Sequence, residues 1–192
     1  MLKNSESCAM YKNWIAFYSK SGREINNIRK TINRNPDLIV TNRGDLEGTN
    51  KELVKDCGDI IYQIPNKPLL NNYLDVIEDC SDLFDNCIIT LHGYLRIIPK
   101  ELCDQFDIYN LHPGLINEFP ELRGKDPQLK AYKGNYEYSG NVIFKVDENI
   151  DIGNIICYNK TCIKDLSLKE ITSVLHDKAG ELWLDFLKDK IY

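Results

Sequence analysis

The stretch Ile108-Tyr109-Asn110-Leu111-His112-Pro113 decides how the chain is read. Residues two apart on a strand share a side, so Asn110 and His112 aim together while Leu111 packs the opposite face. Pro113 then stops the strand. An amide NH2 beside an imidazole suits a reaction in which negative charge develops on a carbonyl oxygen, because both groups can donate hydrogen bonds to it. Farther on, Asp151-Ile152-Gly153 adds a carboxylate. Amide, imidazole and carboxylate at one site point to acyl transfer.

Working outward from this strand, short apolar runs at 14–18, 38–41, 60–63 and 87–91 read as further strands. Between them, 23–33, 50–57 and 69–80 have helical spacing, with Pro36 closing the first. Strands separated by helices imply right-handed crossovers and an α/β fold with a mainly parallel twisted sheet, Rossmann-like, with helices on both faces. After His112 the rhythm changes. A Gly- and Pro-rich loop covers 113–125, then Asp126-Pro127 offers an N-cap followed by proline at the first helical position, and that helix stops near Gly134. Two strands, 141–146 and 155–161, are joined by 147–153, and a last helix starts at Ser167, whose spacing to Glu170 is that of a capping box.

The composition permits an enzyme of this kind. With 192 residues, 43% hydrophobic and 28% charged, the chain is expected to form one domain around one core. A net charge of −5 disfavours a broad nucleic-acid surface, which needs a basic excess. No apolar run is long enough to span a bilayer and the N-terminus lacks the apolar stretch of a signal peptide, so a cytoplasmic protein with no membrane partner is expected. Seven scattered cysteines without a C-x-x-C pair read as free thiols in a reducing compartment, with no disulfide framework and no metal site.

Four blocks in order carry a resemblance. Leu91-His92-Gly93-Tyr94-Leu95-Arg96-Ile97-Ile98-Pro99, Asn110-Leu111-His112-Pro113-Gly114-Leu115, Arg123-Gly124-Lys125-Asp126-Pro127 and Val146-Asp147-Glu148-Asn149-Ile150-Asp151-Ile152-Gly153 resemble the folate-dependent formyltransferase family. That family includes glycinamide ribonucleotide transformylase, methionyl-tRNA formyltransferase and the sugar N-formyltransferases. The resemblance implies a formyltransferase fold with an acceptor half over 1–98 and a folate-binding, catalytic half over 99–192. It implies 10-formyltetrahydrofolate as donor, a primary amine as acceptor, no metal, and Asn110, His112 and Asp151 as the catalytic residues.

The same resemblance assigns folate contacts to Leu95, Arg96, Ile97 and Ile98 and to the facing loop residues Asp147, Glu148, Asn149 and Ile150. Ser19, Lys20, Ser21, Gly22 and Arg23 occupy the place of a phosphate loop of which only Gly22 keeps the expected glycine, and Asn42 belongs to the next turn. A strand-to-helix turn attracts anions through its unpaired N–H groups and the helix dipole. Phe144 stands where many relatives carry a histidine, and His176 reads as a surface helix residue.

Few residues follow the catalytic half, so a tRNA-holding C-terminal barrel is not expected, and the acceptor is read as a small, phosphorylated amine of the purine-pathway type. An amino sugar on a nucleotide is the alternative. Hydrolysis of formyltetrahydrofolate, a silent folate-binding module and a homodimer also remain open.

Overall fold

The computed structural model describes residues 10–147 and 153–191. Its seven-stranded sheet has the order β3-β2-β1-β4-β5-β6-β7. The first five strands are β1 (Asn13–Tyr18), β2 (Leu38–Thr41), β3 (Ile61–Gln63), β4 (Cys87–His92) and β5 (Asp107–His112), and they run parallel. β6 (Tyr138–Lys145) and β7 (Ile155–Cys162) complete the sheet as an antiparallel pair. The helices are α1 (Arg23–Ile32), α2 (Lys51–Cys57), α3 (Leu70–Asp79), α4 (Ser81–Phe84), α5 (Lys100–Gln105), α6 (Pro127–Lys133) and α7 (Leu168–Lys188).

All six residues of β1 are buried, because both faces of the parallel strand are covered. Trp14, Ala16 and Tyr18 pack with Ile25 and Ile28 of α1, Leu53 of α2 and Trp183 and Phe186 of α7. Ile15 and Phe17 point the other way, to Tyr73 and Val76 of α3, Phe84 of α4 and Leu102 of α5. Each such fully buried aliphatic side chain contributes about 1.5–3 kcal/mol. A third cluster joins Leu122, Ala131 of α6, Val142 of β6 and Ile171 and Leu175 of α7.

The expected α/β architecture and all seven strands are present, with ends moved by up to three residues. Two helices were not expected: α4 and α5 span four and six residues, too short to show a periodicity. Asp126 also differs from its expected capping role. Its backbone is left-handed at φ 54° and its side chain makes no cap hydrogen bond, so Pro127 alone, with its fixed φ, starts α6. Six cysteines lie among the described residues and all six are free thiols. No helix there is long and apolar enough to cross a membrane.

Candidate active site

β1 sits between β2 and β4, and its following helix lies on one face of the sheet while α5, after β4, lies on the other. The loops leaving Tyr18 and His92 therefore diverge, which opens a crevice at the C-terminal strand ends, where open α/β sheets place ligands. The turn after β1 needs glycine at Gly22 twice over. Its φ is +63°, and a Cβ there would come within 2.6 Å of Leu53 Cδ2.

The segment from Arg43 to Asn50 braces this turn from behind. Arg43 Nη1 donates to Lys20 O at 3.0 Å, Asn50 N–H donates to Ser21 O at 2.7 Å, and the Tyr18 and Thr49 hydroxyls meet at 2.9 Å. Ser19 Oγ turns instead towards β4 and accepts from Leu95 N–H at 2.8 Å. Lys20, Ser21, Gly22, Arg23 and Glu24 form one wall of a cleft of about 490 Å³. Leu91, His92, Gly93, Leu111 and Pro113 form its floor, and Thr172 and His176 of α7 stand opposite. His176, expected as a surface helix residue, is exposed on α7 and also lines this cleft.

Other site candidates lie outside the cleft lining. Asn42 is buried, and its Nδ2 donates to Asn66 O at 3.0 Å. Arg96 grips the same residue, with Nε on Asn66 O at 2.6 Å and Nη2 on Asn66 Oδ1 at 2.7 Å, while Nη1 reaches Leu95 O at 2.8 Å. Both side chains hold the loop before α3 in place. Leu95 and Ile97 are 57% and 72% exposed, whereas Ile98 is buried in the core under α5. Asp147 is exposed, and its charge adds to the burial and the Asp104 charge that raise the Cys103 thiol above its ordinary value. Glu148, Asn149, Ile150 and Asp151 lie outside the described residues.

At the end of β5, alternation places Asn110 and His112 on the side opposite Leu111, which packs towards α1 and α7. Asn110 Oδ1 accepts from Leu111 N–H at 2.9 Å, so its Nδ2 edge is the one offered to a ligand. His112 Nε2 lies 2.8 Å from Leu122 O. A carbonyl only accepts, so Nε2 carries the hydrogen, and in the neutral ring Nδ1 is the acceptor nitrogen. Gly114 keeps this ring in place, since a Cβ there would sit 3.3 Å from His112 Cδ2 and Nε2. Across the sheet, Phe144 pairs with Asn110 and Val142 with His112. A backbone carbonyl carries no residue-type signal, which is why Leu122 was not legible in the sequence.

Asn110 and His112, at the C-terminal end of the sheet, lie within the stretch of chain that a family model matches. The model described as formyl transferase aligns with residues 13–187. The chain belongs to the formyl transferase family. A relative, methionyl-tRNA formyltransferase from Chlamydia muridarum, is 30% identical over 105 residues, which is 53% of this chain and 32% of that protein. The chain spans about a third of the length of the curated relatives it matches.

Among solved structures, phosphoribosylglycinamide formyltransferase from Bacillus halodurans superposes with a TM-score of 0.75 at 22% identity, covering 92% of this chain and 93% of that one. A formyltetrahydrofolate deformylase from Pseudomonas syringae gives 0.72 at 19% identity, covering 91% and 59%. At these identities the structural likenesses establish the fold. No cluster of His, Cys, Asp and Glu that could hold a metal occurs among the described residues.

Proposed function

We propose that the protein transfers a formyl group from 10-formyltetrahydrofolate to the primary amine of a small phosphorylated metabolite, as glycinamide ribonucleotide transformylases do. The observation that carries this reading is the pairing of the Asn110 Nδ2 edge with the His112 ring, fixed through Leu122 O, on one side of β5. In this reading the folate brings an activated formyl group. Exposed Leu95 and Ile97 fit an apolar ring system, being large hydrophobic side chains held at the strand ends with nothing covering them among the described residues. Leu95 N–H is already engaged by Ser19, so main-chain recognition there falls to the remaining groups of 95–98.

Asn110 then donates to the oxygen on which charge develops, and His112 does so when Nδ1 is protonated. Asp151 would complete the site by accepting the amine proton directly or through water and by favouring the imidazolium. The amine enters from the cleft past Pro113, with its phosphate on the Lys20-to-Arg23 turn. The first half of the chain, 1–98, thus serves mainly the acceptor, with 95–98 reaching the folate, while 99–192 supplies the chemistry and the rest of the folate contacts together with the far wall of the cleft. The cytoplasm, where reduced folates and free thiols coexist, is the proposed compartment.

The test is an acceptor screen with 10-formyltetrahydrofolate, following tetrahydrofolate release. Glycinamide ribonucleotide is expected to be consumed with equimolar tetrahydrofolate, and Lys20→Ala and Arg23→Ala should raise its KM and the salt sensitivity of that KM. Formate release without any amine would make the protein a hydrolase. Formylation of an amino sugar nucleotide alone would move it to the sugar branch.

A further inference from the structure

We propose that Glu24 and Asn141 form a hydroxyl-reading subsite of the cleft, with Glu24 held in position by His92, so that the accepted amine is one carried on a sugar ring. This rests on the reading of the cleft as the acceptor site. Glu24, in the first turn of α1, lines the cleft with its side chain 21% exposed, and its Oε2 lies 2.8 Å from Nδ1 of the fully buried His92 side chain. His92 Nε2 is 2.9 Å from Thr90 Oγ1, which in turn receives the Trp14 indole N–H at 2.8 Å.

The direction of these hydrogen bonds follows from their two ends. An indole N–H only donates, so Thr90 Oγ1 is its acceptor. At the near end the Glu24 carboxylate only accepts, so Nδ1 carries the hydrogen, and the remaining nitrogen of the neutral ring, Nε2, takes the Thr90 hydroxyl at 2.9 Å. His92 Nε2 is then an acceptor, and Nδ1–H donates to Glu24. The chain stops at Trp14 in the core, so it carries no proton anywhere. What it does is fix the Glu24 carboxylate, a hydrogen-bond acceptor that lines the cleft beside Lys20 and Arg23.

A second acceptor stands on the other wall. Asn141 is fully buried, its Nδ2 donates to Leu175 O at 3.0 Å and Asn159 Oδ1 at 3.2 Å, and its Oδ1 has no hydrogen-bond partner among the described residues. A buried amide oxygen without a donor is costly unless a ligand supplies one. Two acceptors lining one cleft ask for a ligand that donates, and neighbouring hydroxyls of a sugar ring do so while a phosphate or a carboxylate does not.

The experiment crosses protein and probe. Wild type and Glu24→Gln are assayed at saturating 10-formyltetrahydrofolate with glycinamide ribonucleotide and its 2′,3′-dideoxy analogue, and in parallel with a nucleotide-linked amino sugar and its deoxy counterpart. Losing a hydrogen bond to a charged group should raise the KM of the hydroxylated probe about tenfold to hundredfold with kcat changed much less. Removing the hydroxyls should cost the wild type a similar factor and cost Glu24→Gln little more. His92→Asn, which keeps a donor near the Nδ1 position, should fall between wild type and His92→Leu.

An unchanged KM in Glu24→Gln, equal losses for the deoxy probe in both proteins, or a loss confined to kcat overturns the subsite. Failure of the wild type to formylate either hydroxylated probe overturns the acceptor reading separately. The subsite is then judged by calorimetry with the same probes, and the absence of any binding to wild type, or equal binding to Glu24→Gln, overturns it too.

Discussion

At Asn110 the amide oxygen is spent on its own neighbour, the Leu111 N–H at 2.9 Å. A carboxylate in its place would keep that contact and turn an acceptor towards the reacting oxygen. Asn110→Asp is therefore expected to lose as much kcat as Asn110→Ala, about 100-fold to 1000-fold, in steady-state assays of formyl transfer. His112→Ala should lose a comparable factor, and equal turnover by that variant would remove the imidazole from the mechanism. Gly114 gives a third measurement at this scale. A methyl group placed 3.3 Å from the His112 ring and 3.1 Å from Pro127 Cβ must push one of them aside, so Gly114→Ala should lower kcat on the order of tenfold while the protein stays folded. Asn110 and His112 stood out in the sequence because an amide and an imidazole two apart on a strand are distinctive, and the structure places both on one side of β5; Asp151 lies outside the described residues. The orientations of Asn110 and His112 were not legible, since they depend on backbone groups such as Leu111 N–H and Leu122 O that every residue carries.

The elements that carry the site are held by caps and turns, and here reading and structure diverge in an instructive way. Asn50 caps α2, its Oδ1 accepting from Leu53 N–H at 3.0 Å, while its own N–H holds Ser21 O. Asn50→Ala should cost about 1 kcal/mol in chemical denaturation, the usual value of an N-cap. It should also raise the acceptor KM, because the turn it braces belongs to the cleft; a loss of stability with acceptor kinetics unchanged would confine Asn50 to the fold. The seven strands and four of the five longer helices were legible because each has an apolar period of two or of 3.6, or a run buried on both faces, and α6 was legible from Pro127 at its start and Gly134 at its end. The two helices of six residues or fewer have no such period, and the left-handed Asp126 contradicts the capping preference of its residue type because the turn after Gly124, itself at φ 74°, sets its backbone. Asn42 and Arg96 were read from the sequence as ligand contacts; in the structure both also grip Asn66 and hold the loop before α3, a long-range role that spacing cannot reveal.

Across the whole molecule, the strand ends remote from the cleft are tied by a polar cluster. Asp107, at the start of β5, accepts from the Tyr11 hydroxyl at 2.6 Å and pairs with Lys145 at the end of β6. Burial alone would raise the Asp107 carboxyl, but the hydrogen bonds from Lys145 and Tyr11 and the Lys145 and Lys190 charges outweigh it and hold the group below the ordinary carboxylate range. A carboxyl depressed in the folded state stabilises the protein above its unfolded value of about 4 and stops doing so as the pH falls through its folded value. Asp107→Asn should therefore melt below wild type at pH 7, and the gap in Tm should close as the pH drops past that range; a gap independent of pH would refute the ionic contribution.

At the opposite end, the Ser19 hydroxyl and Leu95 N–H span the crevice between β1 and β4. This single bond is a tie-rod between the pieces of chain assigned to the two substrates. On the proposed reading, displacing either piece of chain stretches this bond, so movement of the acceptor turn and of the folate segment is coupled.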